Sequence, residues 1–308
     1  MTRKGWIISL SAAAAVAALL VIFSGPRDTR SSSGKVRVVV TIAPAAYFVE
    51  RVGGEHVEVQ VLVGPGQSPH TFEPTLVQLG WLARAQVYFE TGIPFEKQLV
   101  AKAAKTNASL RVKDISDGVR RRYMAADEAA GDTDEPAGTH ASEAGEPDPH
   151  TWLNPLNAKA EAANVCTVLK EVDPAHAKDY EENLGALHRD LDAVNAKVAA
   201  ALAPLRGRTF FVYHPAFGYF ADAYGLRQAA VEIEGKSPSL KQVAELIGRA
   251  RAEGVKVIFV QPQFSPKSAE MIAQEIGGVV VPINDLAHDY IRNLEEIAEK
   301  IRQGLSKP

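Results

Sequence analysis

The sequence contains a single cysteine, Cys166, among its 308 residues, so no intramolecular disulfide can form. Neither G-x-x-x-x-G-K-[ST] nor G-x-G-x-x-G occurs, which argues against a phosphate-binding loop. The formal net charge of −3 offers no basic field, so we expect no nucleic-acid partner. With 46% hydrophobic and 23% charged residues, the composition is that of a globular protein long enough for two domains.

Residues 1–24 have the pattern of an export signal. Arg3 and Lys4 precede an uncharged segment, residues 5–24, that is rich in Ala, Leu, Ile and Val, and polar residues follow it. This order predicts export to the periplasm. An uncleaved membrane anchor is the alternative, because the segment approaches the roughly 17–25 residues that span a bilayer. No cysteine stands directly after the segment, which argues against a lipid-modified N-terminus.

Short β-branched runs alternate with helical patterns along the chain. Six runs have the apolar character of strands that helices cover on both faces, namely residues 36–41, 57–63, 87–90, 209–213, 257–260 and 279–283. Helical stretches such as residues 76–85 and 240–253 lie between them. This alternation predicts an α/β fold with two lobes, each a parallel β-sheet flanked by helices.

One long, rigid helix is predicted between the lobes. Apolar residues three or four positions apart mark a single face of it: Tyr180, Leu184, Leu187, Leu191, Val194, Val198 and Leu202. Asp173 and Pro174 supply a cap and a first-turn proline, and Pro204 ends the run. Residues 173–204 would form a rod of roughly 45 Å. The rod would join a first lobe, residues 35–172, to a second lobe, residues 205–308.

Residues 125–149 differ in composition from the rest of the first lobe. They are rich in Asp and Glu, contain no Lys or Arg, and are otherwise mostly Ala, Gly, Thr and Pro. Such a segment cannot bury enough apolar surface to order itself. We therefore predict a disordered acidic loop here.

Three histidines stand beside prolines at the ends of predicted elements. His70 follows the strand at 57–63, His214 follows the strand at 209–213, and His150 follows the acidic stretch. Ligands of open α/β sheets bind outside the carboxyl ends of the strands, and neutral imidazole is a common ligand of zinc. The spacing alone leaves two interpretations open, one shared metal site or three unrelated turn histidines.

Several motifs appear in a specific order along the chain. They are Thr41-Ile42-Ala43-Pro44, Val52-Gly53-Gly54, the His70 segment, and residues 148–155, 213–220, 234–239, 263–267 and 275–278. Together they resemble the metal-specific, zinc- and manganese-type solute-binding proteins of ABC transporters, in the zinc-uptake branch. The resemblance runs from about residue 36 to the C-terminus.

The resemblance implies that a metal ion is held in the cleft between the two lobes. It implies His70, His150 and His214 as ligands. Zinc-type members carry histidine at the third position, where manganese-type members usually carry a carboxylate, in keeping with the ligand preferences of the two ions. Many members add an aspartate as fourth ligand, but Asn284 takes that register here and Asp285 follows it. Asp285 is the predicted fourth ligand, with Asn284 or water as alternatives.

The resemblance also implies a function, the high-affinity capture of a divalent transition metal in the periplasm and its delivery to an ABC-type membrane permease. Zinc is the expected ion, and we expect a monomer. A manganese- or iron-binding member of the same family and a metal-dependent adhesin are alternatives. A zinc hydrolase is a further hypothesis, but no H-E-x-x-H occurs, and only Glu73 and Asp285 are candidates for a general base. We therefore expect no enzymatic activity.

Overall fold

The computed structural model describes residues 34–123, 147–232 and 240–306. The predicted export signal, the motif at 234–239 and all but the end of the acidic stretch lie outside these residues. No helix in the described part of the chain is both long and apolar enough to cross a membrane.

The first lobe is built on a parallel four-stranded sheet in the order β2-β1-β3-β4. Its strands are β1 (Val36–Val40), β2 (Val57–Val61), β3 (Val87–Glu90) and β4 (Arg111–Asp114). Its helices include α1 (Ala43–Gly53), α2 (Leu76–Leu82) and α3 (Glu96–Thr106). Helix α4 (Pro155–Val172) then leads to the connecting helix, α5 (Ala177–Leu202).

The second lobe repeats this architecture with a parallel sheet in the order β6-β5-β7-β8. Its strands are β5 (Thr209–Val212), β6 (Arg227–Ala230), β7 (Val257–Val260) and β8 (Val279–Pro282). Its helices are α6 (Gly218–Tyr224), α7 (Leu240–Ala252), α8 (Lys267–Glu275) and α9 (Tyr290–Ser306). Two parallel sheets flanked by helices confirm the predicted two-lobe α/β fold.

The connecting helix matches the predicted amphipathic stripe. Tyr180 and the five stripe residues from Leu187 to Leu202 are buried, and Leu184 is half-buried. Short 3-10 turns extend the helix at both ends, over Pro174–His176 and Ala203–Leu205. One hydrophobic cluster runs from β1 through α4 and α5 to α9. The two lobes therefore share a continuous core along this helix.

Strands β4 and β6 were not predicted from the sequence, and both lie at sheet edges. Arg111–Asp114 has three charged residues and only one apolar residue, and Arg227–Ala230 ends in two alanines. An edge strand pairs on one side only and needs no continuous apolar run, so a search for buried strands passes over it.

Candidate metal centre

His70 lies in a tightly supported turn beyond strand β2. It belongs to the 3-10 turn Pro69–Thr71, and its backbone amide donates to Ser68 Oγ at 3.3 Å. The loop begins directly after β2, and its start is held by the first turn of α2, because Gln78 Nε2 donates to the Leu62 carbonyl at 2.6 Å. The imidazole is thus carried by a loop that is fixed at both ends.

His150 is oriented by the carboxylate two residues before it. Asp148 Oδ1 accepts from the His150 backbone amide at 3.0 Å and lies 2.8 Å from His150 Nδ1. Asp148 is completely buried, and His150 is 3% exposed. A proton on Nδ1 satisfies this contact and leaves the Nε2 lone pair free for a metal. Residues 147–149, the end of the predicted acidic loop, therefore belong to the ordered site.

His214 is held by side chains from two neighbouring strand ends. Gln261 Nε2 donates to the His214 carbonyl at 2.7 Å, and Gln261 Oε1 accepts from the His214 amide at 3.2 Å. Glu232 Oε1 lies 3.3 Å from His214 Nδ1. The ring of Phe264 stacks on the imidazole with centroids 5.1 Å apart. As at His150, a carboxylate on Nδ1 directs Nε2 toward a metal.

The three imidazoles converge on one point. His214 Nε2 lies 3.1 Å from His70 Nε2 and 3.3 Å from His150 Nε2. One ligand nitrogen from each of the three rings lies within 4.8 Å of the other two. A tetrahedral zinc ion with Zn–N bonds of about 2.0–2.1 Å separates its ligands by about 3.3–3.4 Å. The two separations at His214 therefore match those of a tetrahedral ion closely, and the third is at most 4.8 Å.

The electrostatics of the site favour neutral imidazole at His70. Desolvation, followed by the neighbouring rings of His214 and His150, lowers the pKa of His70 from 6.5 to about 3. The residue as a whole is partly exposed, but its ring faces these two imidazoles. A neutral ring offers its lone pair to a metal without first releasing a proton.

Asp285 lies in the same small cavity as the three histidines, together with Trp152 and Gln263. It is 3% exposed, and its Oδ1 accepts from Gln263 Nε2 at 2.7 Å. It is not part of the group of ligand atoms that lie within 4.8 Å of one another. Glu73, the other carboxylate considered from the sequence, is exposed.

Sequence reasoning did not assign roles to three supporting residues, Asp148, Glu232 and Gln261. A usable signal was present, because Glu232 and Gln261 each follow the carboxyl end of a strand beside β5. His214 follows β5 itself, so the strand-end rule that selected this histidine also selects its two supports. Asp148 stands two residues before His150, the spacing of an Asx turn.

Known proteins resemble this chain in both sequence and architecture. The family described as zinc-uptake complex component A, periplasmic (ZnuA), matches residues 38–304. A putative metal-binding protein of Treponema pallidum (strain Nichols) is 28% identical over 282 residues, which are 89% of this chain and 88% of that protein. The high-affinity zinc uptake system protein ZnuA of Brucella suis biovar 1 (strain 1330) is 35% identical over 176 residues, 53% of this chain and 52% of that protein. A crystal structure of ZnuA superposes with a TM-score of 0.79 at 35% identity, covering 88% of this chain and 100% of that one.

Proposed function

Because this chain belongs to the ZnuA family, the periplasmic zinc-binding components of ABC zinc importers, we propose that His70, His150 and His214 are its zinc-capture site. The observation that carries the proposal is the convergence of three Nε2 atoms, with separations of 3.1 and 3.3 Å at His214. Two of the rings are preset by carboxylates at Nδ1. Zinc is the transported substrate, and these imidazoles would bind it reversibly.

Asp285 is our proposed fourth ligand. Its carboxylate is buried and lines the cavity, and Gln263 holds one of its two oxygens. Asn284 is a weaker candidate, because its side-chain oxygen accepts from the Leu286 amide at 2.9 Å and so closes a local turn. The proposed site draws on both proposed lobes, with His70 and His150 from residues 35–172.

Capture without catalysis is the second part of the proposal. The family is one of transporter components and is not a family of enzymes. Asp148 and Glu232 both contact imidazole Nδ1 atoms, on the side of each ring that faces away from the ion. A carboxylate in that position orients a ligand and cannot activate a metal-bound water. We propose that the chain is a monomer that hands zinc to the importer's permease.

The test is calorimetric titration of the purified, metal-stripped protein with zinc and then with manganese. We expect one zinc per chain, and no displacement of zinc by manganese. His214→Ala should lose at least tenfold in zinc affinity, since one of three imidazoles is removed. His188→Ala is the matched control, because His188 lies on α5 and contacts the Lys159 carbonyl. Equal zinc affinity in the two variants would show that the assigned site is wrong.

A further inference from the structure

Arg122 connects the buried support of His150 to the second lobe. Its Nη1 lies 3.5 Å from Asp148 Oδ2, and its Nε donates to Asp222 Oδ2 at 3.0 Å. Asp148 is completely buried and is the carboxylate that orients His150. Asp222 lies on α6 of the second lobe, and its side chain is 64% exposed. A single guanidinium thus pairs with one carboxylate from each lobe.

The backbone around Arg122 makes the same connection. The Arg122 amide donates to the Tyr219 hydroxyl at 2.8 Å, and that hydroxyl donates to the Asp148 carbonyl at 3.2 Å. The Asp148 amide in turn donates to the Arg122 carbonyl at 2.9 Å. Tyr219, like Asp222, is on α6. Two adjacent segments of the first lobe are therefore fastened to this helix, and one of them leads directly into His150.

Gly218 makes room for the guanidinium on α6. A Cβ atom at this position would lie 2.2 Å from Arg122 Nη1 and 2.5 Å from Arg122 Cζ. Any other residue at position 218 would push the end of the arginine side chain away. The close packing of Arg122 against the second lobe therefore depends on the glycine at position 218.

We propose that Arg122 is a positioning residue that makes zinc retention depend on the contact between the two lobes. Helix α6, which carries the partners of Arg122, begins four residues after His214, so the helix and the proposed ligand belong to one short stretch of the second lobe. Movement of this stretch away from the first lobe would withdraw His214 and would also release Arg122 from Asp222. Arginine suits the task, because its planar fork can pair with two carboxylates in different directions. The inference rests on the proposed zinc site.

The test measures the rate at which the purified, zinc-loaded protein loses zinc to an excess of chelator. Arg122→Met should release zinc about tenfold faster or more, as expected for loss of a residue that supports a metal ligand. Arg121→Met is the matched control, because Arg121 pairs with Asp114 inside the first lobe. The rate of zinc release from this variant should stay within about twofold of wild type.

Gly218→Ala separates positioning from general damage to the fold. The added methyl displaces the end of Arg122 while keeping its charge, and alanine favours the helix. We expect faster zinc release, with a smaller fall in the melting temperature of the metal-free protein than Arg122→Met causes, because the positive charge near the buried Asp148 is kept. Asp222→Asn removes only the partner in the second lobe and should also speed release.

Each outcome has a distinct meaning. Release from Arg122→Met and Gly218→Ala at the wild-type rate would overturn the inference. Fast release from Arg122→Met together with wild-type release from Asp222→Asn would also overturn it, because Arg122 would then act only within its own lobe. His150→Ala tests the underlying site separately. If that variant kept wild-type zinc affinity, the proposed function itself would be wrong.

Discussion

Gln261 forms hydrogen bonds with both backbone groups of His214. Its Nε2 donates to the His214 carbonyl at 2.7 Å, and its Oε1 accepts from the His214 amide at 3.2 Å. Gln261 is fully buried, so neither contact can be replaced by water without rearrangement. The position of a proposed zinc ligand is therefore fixed by a neutral side chain.

Gln261→Met should weaken zinc binding about tenfold or more, because the His214 backbone loses the side chain that fixes it. The methionine has a similar volume, but it leaves the buried His214 amide unpaired, at a cost of about 1–3 kcal/mol in the free energy of unfolding, while the His214 carbonyl still accepts from the Ala216 amide at 2.8 Å. Calorimetric titration with zinc and urea denaturation of the metal-free protein measure the two effects.

Gln228→Met is the control for this prediction. Gln228 is also buried in the second lobe, and its Oε1 accepts from the Phe217 amide at 2.6 Å. It should lose a similar amount of stability while zinc affinity stays near wild type. A zinc affinity that fell equally in both variants would mean that Gln261 acts through general stability.

The sequence predicted most of the fold because burial leaves a strong pattern. The stripe from Tyr180 to Leu202 and the apolar runs of the central strands are such patterns. The edge strands β4 and β6 carry no such pattern, because β4 has a single apolar residue and β6 begins with two polar ones.

The supports of the site were harder to predict than the histidines. Prolines and strand ends drew attention to His70, His150 and His214, whereas a lone Glu232 or Gln261 gives no local sign of its partner. Their contacts with His214 span 18 and 47 positions in the chain and arise only when β5, β6 and β7 align. A strand-end search applied to every polar residue would have found them.

Asp173 anchors the start of the connecting helix. Its Oδ2 accepts from the Tyr180 hydroxyl at 2.8 Å and lies 2.6 Å from His176 Nδ1, and the ring of His176 stacks on His56 with centroids 3.8 Å apart. Asp173→Ala should lower the free energy of unfolding by about 1–3 kcal/mol, because the buried tyrosine hydroxyl loses this acceptor. Urea denaturation measures the change.

Asp179, a surface carboxylate in the first turn of the connecting helix, is the comparison for Asp173. Asp179 lies 2.9 Å from His56 Nε2, and its side chain is 53% exposed. Asp179→Ala should cost under about 1 kcal/mol, as for other exposed ion pairs. Equal losses in Asp173→Ala and Asp179→Ala would show that the buried hydrogen bond to Tyr180 adds nothing.

The buried carboxyl of Glu161 predicts that the stability of the fold depends on pH. It is buried in α4 and accepts from the Thr151 hydroxyl at 2.6 Å, and burial raises its pKa from 4.5 to about 7. Between these values the folded protein holds a proton that the unfolded chain has released, so this stabilising contribution is lost as the pH rises toward 7.

The glutamine of Glu161→Gln stays neutral at every pH. The free energy of unfolding of this variant should therefore gain roughly 1–3 kcal/mol relative to wild type between pH 5 and pH 8. Urea denaturation of the metal-free protein at both pH values measures this gain, and Glu182→Gln, at an exposed position, should show none. A difference between wild type and Glu161→Gln that stayed constant with pH would mean that the folded protein already ionises Glu161 at pH 5.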